Sequence, residues 1–86
     1  MPQVSRFLGI VTTMYANDEE PPHFHVRYDD HRATVGIKRL ELIGGRLPSR
    51  VLGLVMEWAE SHQLELLANW RLLSNEGIVK KIAPLV

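Results

Sequence analysis

Apolar and polar residues alternate through Pro22-His23-Phe24-His25-Val26-Arg27-Tyr28, with Phe24, Val26 and Tyr28 in one phase and His23, His25 and Arg27 in the other. A period of two marks a half-buried strand, so this stretch predicts a strand whose polar face carries two imidazoles and a guanidinium. Same-face neighbours lie roughly 7 Å apart, from about 3.3 Å of rise per residue, a spacing that suits gripping one extended anion or converging on one ion. Asp29-Asp30-His31 is turn chemistry, because short Asp side chains bond their own backbone. Arg32 to Ile37 then alternates again, Ala33, Val35 and Ile37 against Arg32, Thr34 and Gly36. A hairpin of the two runs places Phe24, Val26 and Tyr28 beside Ala33, Val35 and Ile37 on the core face. His23, His25 and Arg27 then share the outer face with Arg32, Thr34 and Lys38, and Gly36 in that row leaves room for a ligand.

Upstream, Phe7 to Tyr15 is rich in β-branched and aromatic residues and predicts a first strand. Leu8, Ile10, Thr12 and Met14 take one face, and Phe7, Gly9, Val11, Thr13 and Tyr15 the other, with Gly9 marking a bulge or a close backbone approach. The acidic loop Asn17-Asp18-Glu19-Glu20 leads into Pro21-Pro22, whose fixed φ angles and missing N–H donors stiffen the approach to the His-bearing strand. Downstream, Leu40, Leu42 and Ile43 predict a short strand, and Gly44-Gly45 supplies the positive φ angles of a tight reversal. Pro48 opens a helix over residues 49–61, in which Val51, Leu54, Val55 and Trp58 repeat at i, i+3, i+4 and i+7. Leu64, Leu67, Trp70 and Leu73 give a second stripe from residue 63 to about residue 75. No glycine or proline separates the stripes at Ser61-His62, so two helices and one kinked helix both fit. Gly77 suits a C-cap, and residues 78–82 an edge strand halted by Pro84. Strands first and helices second predict an α+β fold: an antiparallel sheet of three to four strands followed by two amphipathic helices packed on one face. Trp58 and Trp70 lie on the apolar stripes and belong to the core.

The length of 86 residues fits a single domain spanning residues 1–86, and 45% apolar with 23% charged residues is ordinary globular composition. The absence of cysteine excludes thiol catalysis, disulfides and thiolate metal sites. Met1 to Arg6 lacks the apolar core of a signal peptide and no apolar run is long enough for a membrane span, so the expected setting is cytoplasmic, with no membrane partner. Formal net charge is zero, which gives no whole-molecule attraction to nucleic acid. Locally the balance shifts. Arg32, Lys38, Arg39, Arg46 and Arg50 face Glu41 alone, whereas Glu57, Glu60, Glu65 and Glu76 face Arg71 alone. That dipolar arrangement would turn a basic sheet toward an anion and an acidic helical face toward solvent or a partner.

Three chemical readings fit the His-bearing strand. General acid–base catalysis needs one histidine against a phosphate held by arginines, so His23 or His25 with Arg27 and Arg32 could cleave RNA through the substrate's own 2′-hydroxyl. A two-His, one-carboxylate metal site could be completed by Asp18 or Glu19. A purely structural role has one histidine bonding the Asp18–Glu20 loop and the other on plain surface. The assignment adopted is His23, His25 and Arg27 as catalytic, Arg32, Lys38 and Asp18 as substrate-binding, and no metal or other cofactor. The chain has no Gly-rich phosphate loop, nucleophilic triad or zinc ribbon. A helix-turn-helix at residues 49–75 is disfavoured because Glu65 and Glu76 would repel phosphates.

The runs Met14-Tyr15-Ala16-Asn17-Asp18, Pro21-Pro22-His23-Phe24-His25-Val26, Gly45-x-Leu47-Pro48, Glu57-Trp58-Ala59, Glu65-Leu66-Leu67-x-Asn69-Trp70 and Lys81-Ile82-x-Pro84-Leu85 resemble the small prokaryotic family called domain of unknown function 4160. The resemblance implies a short protein paired with a small cognate antitoxin-like partner of unknown-function family 2442 type. It carries over no catalytic residues. The expectation is therefore a toxin-like component of a two-gene toxin–antitoxin module acting on RNA through its His/Arg face, with a non-catalytic binding or regulatory module as the alternative.

Overall fold

The structure, a computed structural model, describes residues 3–16 and 18–85; Met1, Pro2, Val86 and Asn17 of the acidic loop lie outside the described residues. Five antiparallel strands, β1 (Gln3–Phe7), β2 (Ile10–Thr13), β3 (His23–Tyr28), β4 (His31–Gly36) and β5 (Leu42–Gly45), form one sheet in sequence order. Two helices follow, α1 (Ser49–Ser61) and α2 (Gln63–Ser74). The α+β architecture is as expected, with five strands in place of three to four.

The extra strand is β1, which lies ahead of the expected Phe7–Tyr15 run and shares only Phe7 with it, while that run itself shortens to β2. Leu8 (φ 51) and Gly9 (φ 79) make a two-residue turn in which both residues are left-handed, the geometry that matches the twist of a tight hairpin. Phe7 therefore lies directly opposite Ile10 and shares its core face instead of taking the other one. Leucine in that conformation runs against the usual turn signals, so the break left no compositional mark.

The β3–β4 hairpin has the expected faces, with Phe24 opposite Val35, Val26 opposite Ala33, His25 opposite Thr34 and Arg27 opposite Arg32, while His31, expected in the turn, opens β4 opposite Tyr28. Asp29 holds its turn at φ 54. At β5 the glycines act differently from expectation: they lie inside the strand, Gly44 opposite Thr34 and Gly45 opposite Ala33, after a bulge at Ile43. Gly45 (φ +80) is pressed so close to β4 that a Cβ would stand 2.1 Å from the Arg32 carbonyl oxygen. At Gly36 the Arg39 carbonyl oxygen and Ile43 already crowd the position of the missing side chain.

The core lies between the inner sheet face and the helices. Trp58 is fully buried, its ring 5.6 Å from those of both Phe7 and Phe24. The first stripe buries Val51, Val55, Trp58 and Ala59. The second keeps Trp70 and Leu73 of the expected stripe in the core and Leu67 against it, but α2 also buries Leu66 and Asn69, while Leu64 is 82% exposed. His62 (φ −123) leaves helical geometry and divides the helices, and its Nδ1 lies 2.6 Å from Glu65. At the far end Glu76 (φ 60) takes the left-handed position and Gly77 follows it, its N–H donating to the Leu72 carbonyl. Residues 78–82 are not a strand. The segment is held by Ile82 N–H to the Val4 carbonyl, by paired bonds between Asn69 and the Lys80 backbone, and by Trp58 Nε1–H to the Ala83 carbonyl. Those bonds explain the burial of Asn69, a polar residue whose amide has both of its partners supplied by one backbone unit. Among the described residues no helix is long and apolar enough to cross a membrane.

Candidate active site

Alternation along β3 turns Phe24 and Val26 into the core and leaves His23 and His25 half-buried and Arg27 exposed on the outer face. The outer face is basic: none of the five strands contains an acidic residue, and Arg6, Val11, Arg27 and Arg32 follow one another across β1 to β4 in register. Arg46, whose N–H bonds the Arg32 carbonyl oxygen, comes next. Neither Arg27 nor Arg32 has a carboxylate partner among the described residues. Like charges set opposite each other destabilise a sheet pair, so this arrangement is costly unless an anion lies across it.

Between these side chains runs a groove of about 230 Å³ lined by Val11, Thr13, Tyr15, His25, Arg27, Arg32 and Thr34. Thr13 and Val11 reach it because β2 pairs Thr13 with His25 and Val11 with Arg27. The groove's donors are an imidazole, two guanidiniums and threonine hydroxyls, a set suited to an anion with ester or hydroxyl oxygens.

Beside the groove, the loop before β3 reaches the two histidines. Asp18 Oδ2 lies 3.2 Å from His23 Nε2 and 3.1 Å from His25 Nε2, so one carboxylate oxygen faces both imidazoles. His23 Nδ1 lies 2.8 Å from the Pro21 carbonyl oxygen. The rings are fixed by their neighbours: His23 packs 5.1 Å from both Trp70 and His25, and Tyr15 meets His25 edge-on at 5.0 Å. Trp70 Nε1–H donates to Glu20 at 3.3 Å, tying the acidic loop to α2.

The sequence-assigned residues thus divide. His25, Arg27 and Arg32 meet on the groove, and Asp18 and His23 join it only through their contacts with His25. Lys38 does not join them; it borders a separate depression with Pro21, Pro22, Arg39, Glu41 and Ile43. Both histidines contact Asp18, which departs from the structural reading that left one on plain surface. Glu19 stays exposed and takes no part in the cluster. Sequence reasoning missed Tyr15 and Trp70 as walls of the site. The signal for Tyr15 was present, since it shares the β2 phase of Val11 and Thr13, whereas Trp70 was hidden by lying on the core stripe of a distant helix.

A family model described as Domain of unknown function (DUF4160) matches residues 9–71, well over half of the chain. The chain belongs to this family. The DUF4160 match takes in the whole groove and the Asp18–His23–His25 cluster, and stops before the Lys81–Leu85 run. No curated protein and no solved structure matches the chain significantly.

Proposed function

We propose that this DUF4160 chain acts on RNA, as the toxin-like component of a two-gene prokaryotic module in the cytoplasm. One observation carries the reading: β-pairing gathers His25, Arg27 and Arg32 around a single groove on a sheet whose strands hold no acidic residue. Arg27 and Arg32 grip a backbone phosphate, Thr13 and Thr34 bond its ester or sugar oxygens, and the Asp18–His23–His25 cluster supplies the reacting group beside the groove. Asp18 and Trp70 are positioning residues for the imidazoles in this scheme. The test is induced expression of the wild type and of an Arg27→Gln/Arg32→Gln variant, with RNA integrity followed in the cells. The expected result is growth arrest with RNA cleavage that the double variant abolishes. With purified protein and a short single-stranded RNA, that variant would also reduce the slope of log affinity against log salt by about 1–2, since each lost phosphate contact removes roughly 0.7. Intact RNA in arrested cells, or a salt slope that the variant leaves unchanged, overturns the reading.

A second reading, docking of the cognate small protein, is favoured by β5. It forms one edge of the sheet and exposes Leu42 and Ile43 there, a pattern suited to addition of a partner strand. Ile43→Lys would weaken that partner's capture by at least tenfold while leaving RNA binding unchanged; equal capture of both forms removes this surface.

A further inference from the structure

We infer that Asp18, His23 and His25 form a divalent transition-metal site, with zinc or a neighbouring first-row ion as its occupant. The inference rests on the RNA reading only in identifying what the ion would act upon. Hydrogen-bond accounting carries the first step. A carbonyl oxygen can only accept, so His23 Nδ1 carries the proton shared with Pro21, and Nε2 is the ring atom turned to the Asp18 carboxylate, 3.2 Å away. A nitrogen and a carboxylate oxygen at that distance need a proton or a metal ion between them, and a metal ion can serve both imidazoles at once. His25 Nε2 converges on the same Oδ2 at 3.1 Å, so the requirement for positive charge is focused at one point.

The geometry suits an ion there. The three donor atoms lie within 4.8 Å of one another. Donors sharing a metal at about 2.0–2.2 Å sit roughly 3.0–3.4 Å apart along octahedral or tetrahedral edges, and both distances to Asp18 fall in that range. The Nδ1–H to carbonyl bond of His23 is the outer contact that fixes a metal-binding imidazole in the right tautomer and orientation. Packing against Trp70 and Tyr15 holds the two rings in advance of binding, which lowers the ordering cost. The side chains of Asp18 and His25 are 28% and 33% exposed, so an ion reaches the cluster from solvent. Three protein ligands leave at least one position open, and the basic groove leads to it. This is the layout of a catalytic rather than a structural metal site, and two imidazoles with one carboxylate select a transition ion over calcium or magnesium. An ion in this place would polarise an anionic ester seated on Arg27 and Arg32.

The experiment takes the full chain, dialysed against a chelator and then titrated with zinc by calorimetry. We expect one zinc per chain, with affinity falling about 100-fold or more in Asp18→Asn and in His25→Ala. His62→Ala should bind as the wild type does, which separates the cluster from the His62–Glu65 pair on the helices. If a variant fails to fold, ring-nitrogen NMR of the wild type decides, because zinc must move the Nε2 signals of His23 and His25 and leave those of His31 unmoved. No stoichiometric binding, binding indifferent to Asp18→Asn and His25→Ala, or shifts confined to His62 overturns the site. The two proposals fail separately: a chain that binds zinc yet spares RNA keeps the metal site and loses the RNA reading, and one that cleaves RNA in chelator does the reverse.

Discussion

Replacing Gly45 with alanine tests the groove's construction more sharply than any change to its polar side chains. The added Cβ would stand 2.1 Å from the Arg32 carbonyl oxygen and 2.6 Å from the Ala33 Cα, where an ordinary carbon–oxygen contact is about 3.3 Å or more. Both obstructing atoms are backbone of β4, so no rotamer change relieves the clash. The strands must separate by roughly 1 Å, which breaks the Arg46 N–H bond to the Arg32 carbonyl, worth about 0.5–1.5 kcal/mol. Holding a non-glycine residue at φ +80 adds about 1–2 kcal/mol. With the residual overlap, Gly45→Ala should cost about 3 kcal/mol or more, which for a domain of this size lowers Tm by about 12–24 °C. Gly44 is the internal control. Nothing lies within 4 Å of its would-be Cβ and its φ is not left-handed, so Gly44→Ala should change stability by no more than about 1 kcal/mol in either direction. Urea unfolding read by tryptophan fluorescence measures both, since Trp58 and Trp70 are buried. Two alanine variants of equal stability would refute the close β4–β5 approach that shapes one wall of the groove.

Other substitutions test neighbouring parts of the fold. Leu8→Asn puts a residue that tolerates left-handed geometry at φ 51 in the β1–β2 turn, and thermal unfolding should show a gain of about 0.5–1 kcal/mol. Leu66→Ala empties a fully buried position and should cost about 2–5 kcal/mol in urea, against no more than about 0.5 kcal/mol for Leu64→Ala, whose side chain lies in solvent. Ser5→Ala removes a buried hydroxyl that lacks a hydrogen-bond partner among the described residues, while keeping the backbone carbonyl that Thr12 bonds. Stability should hold or rise by up to about 1 kcal/mol, and a clear loss would mean that the Ser5 hydroxyl has an essential partner.

Much of this fold was legible because β3 and β4 obey period two without interruption. Their alternation alone assigns core and outer faces, and the hairpin register follows from the short Asp29-Asp30 turn. The helix limits were readable from Pro48 and the spacing of Val51, Val55 and Trp58. What escaped has identifiable causes. The Leu8-Gly9 turn places leucine where steric preference argues against it, so the expected strand ran from Phe7 straight through the turn and β1 before it went unread. The α2 stripe took in Leu64 and omitted Asn69 because hydrophobicity alone cannot register that Asn69 is wanted inside, where it bonds the Lys80 backbone on a segment far along the chain. Gly44 and Gly45 advertise a turn in isolation; only the neighbouring strand makes a glycine necessary at position 45 within β5. In the site, His25, Arg27 and Arg32 share a face by local rules, whereas Trp70 reaches His23 through tertiary packing that no local pattern encodes.

The placement of the cluster follows from the same alternation that builds the core. Phe24 and Val26 must both face Trp58 and its neighbours, and a slip of one residue would expose them while burying His23, His25 and Arg27. Core packing therefore locks the two imidazoles and the guanidinium into their phase, whatever they bind. The loop completes the site from its other side: Pro21 and Pro22 stiffen the approach, the Pro21 carbonyl fixes the His23 ring, and Glu20 is tied to Trp70, so Asp18 is carried over the imidazoles instead of ranging in solvent. Sheet packing sets the histidines and loop anchoring sets the carboxylate, by separate contacts. Loosening the loop should consequently leave the groove's arginines in place while dispersing the cluster. Trp70→Phe, which keeps an aromatic ring against His23 but removes the Nε1–H bond to Glu20, is the change that separates them: RNA affinity should persist while zinc affinity falls. Parallel loss of both would mean that loop and sheet are one mechanical unit.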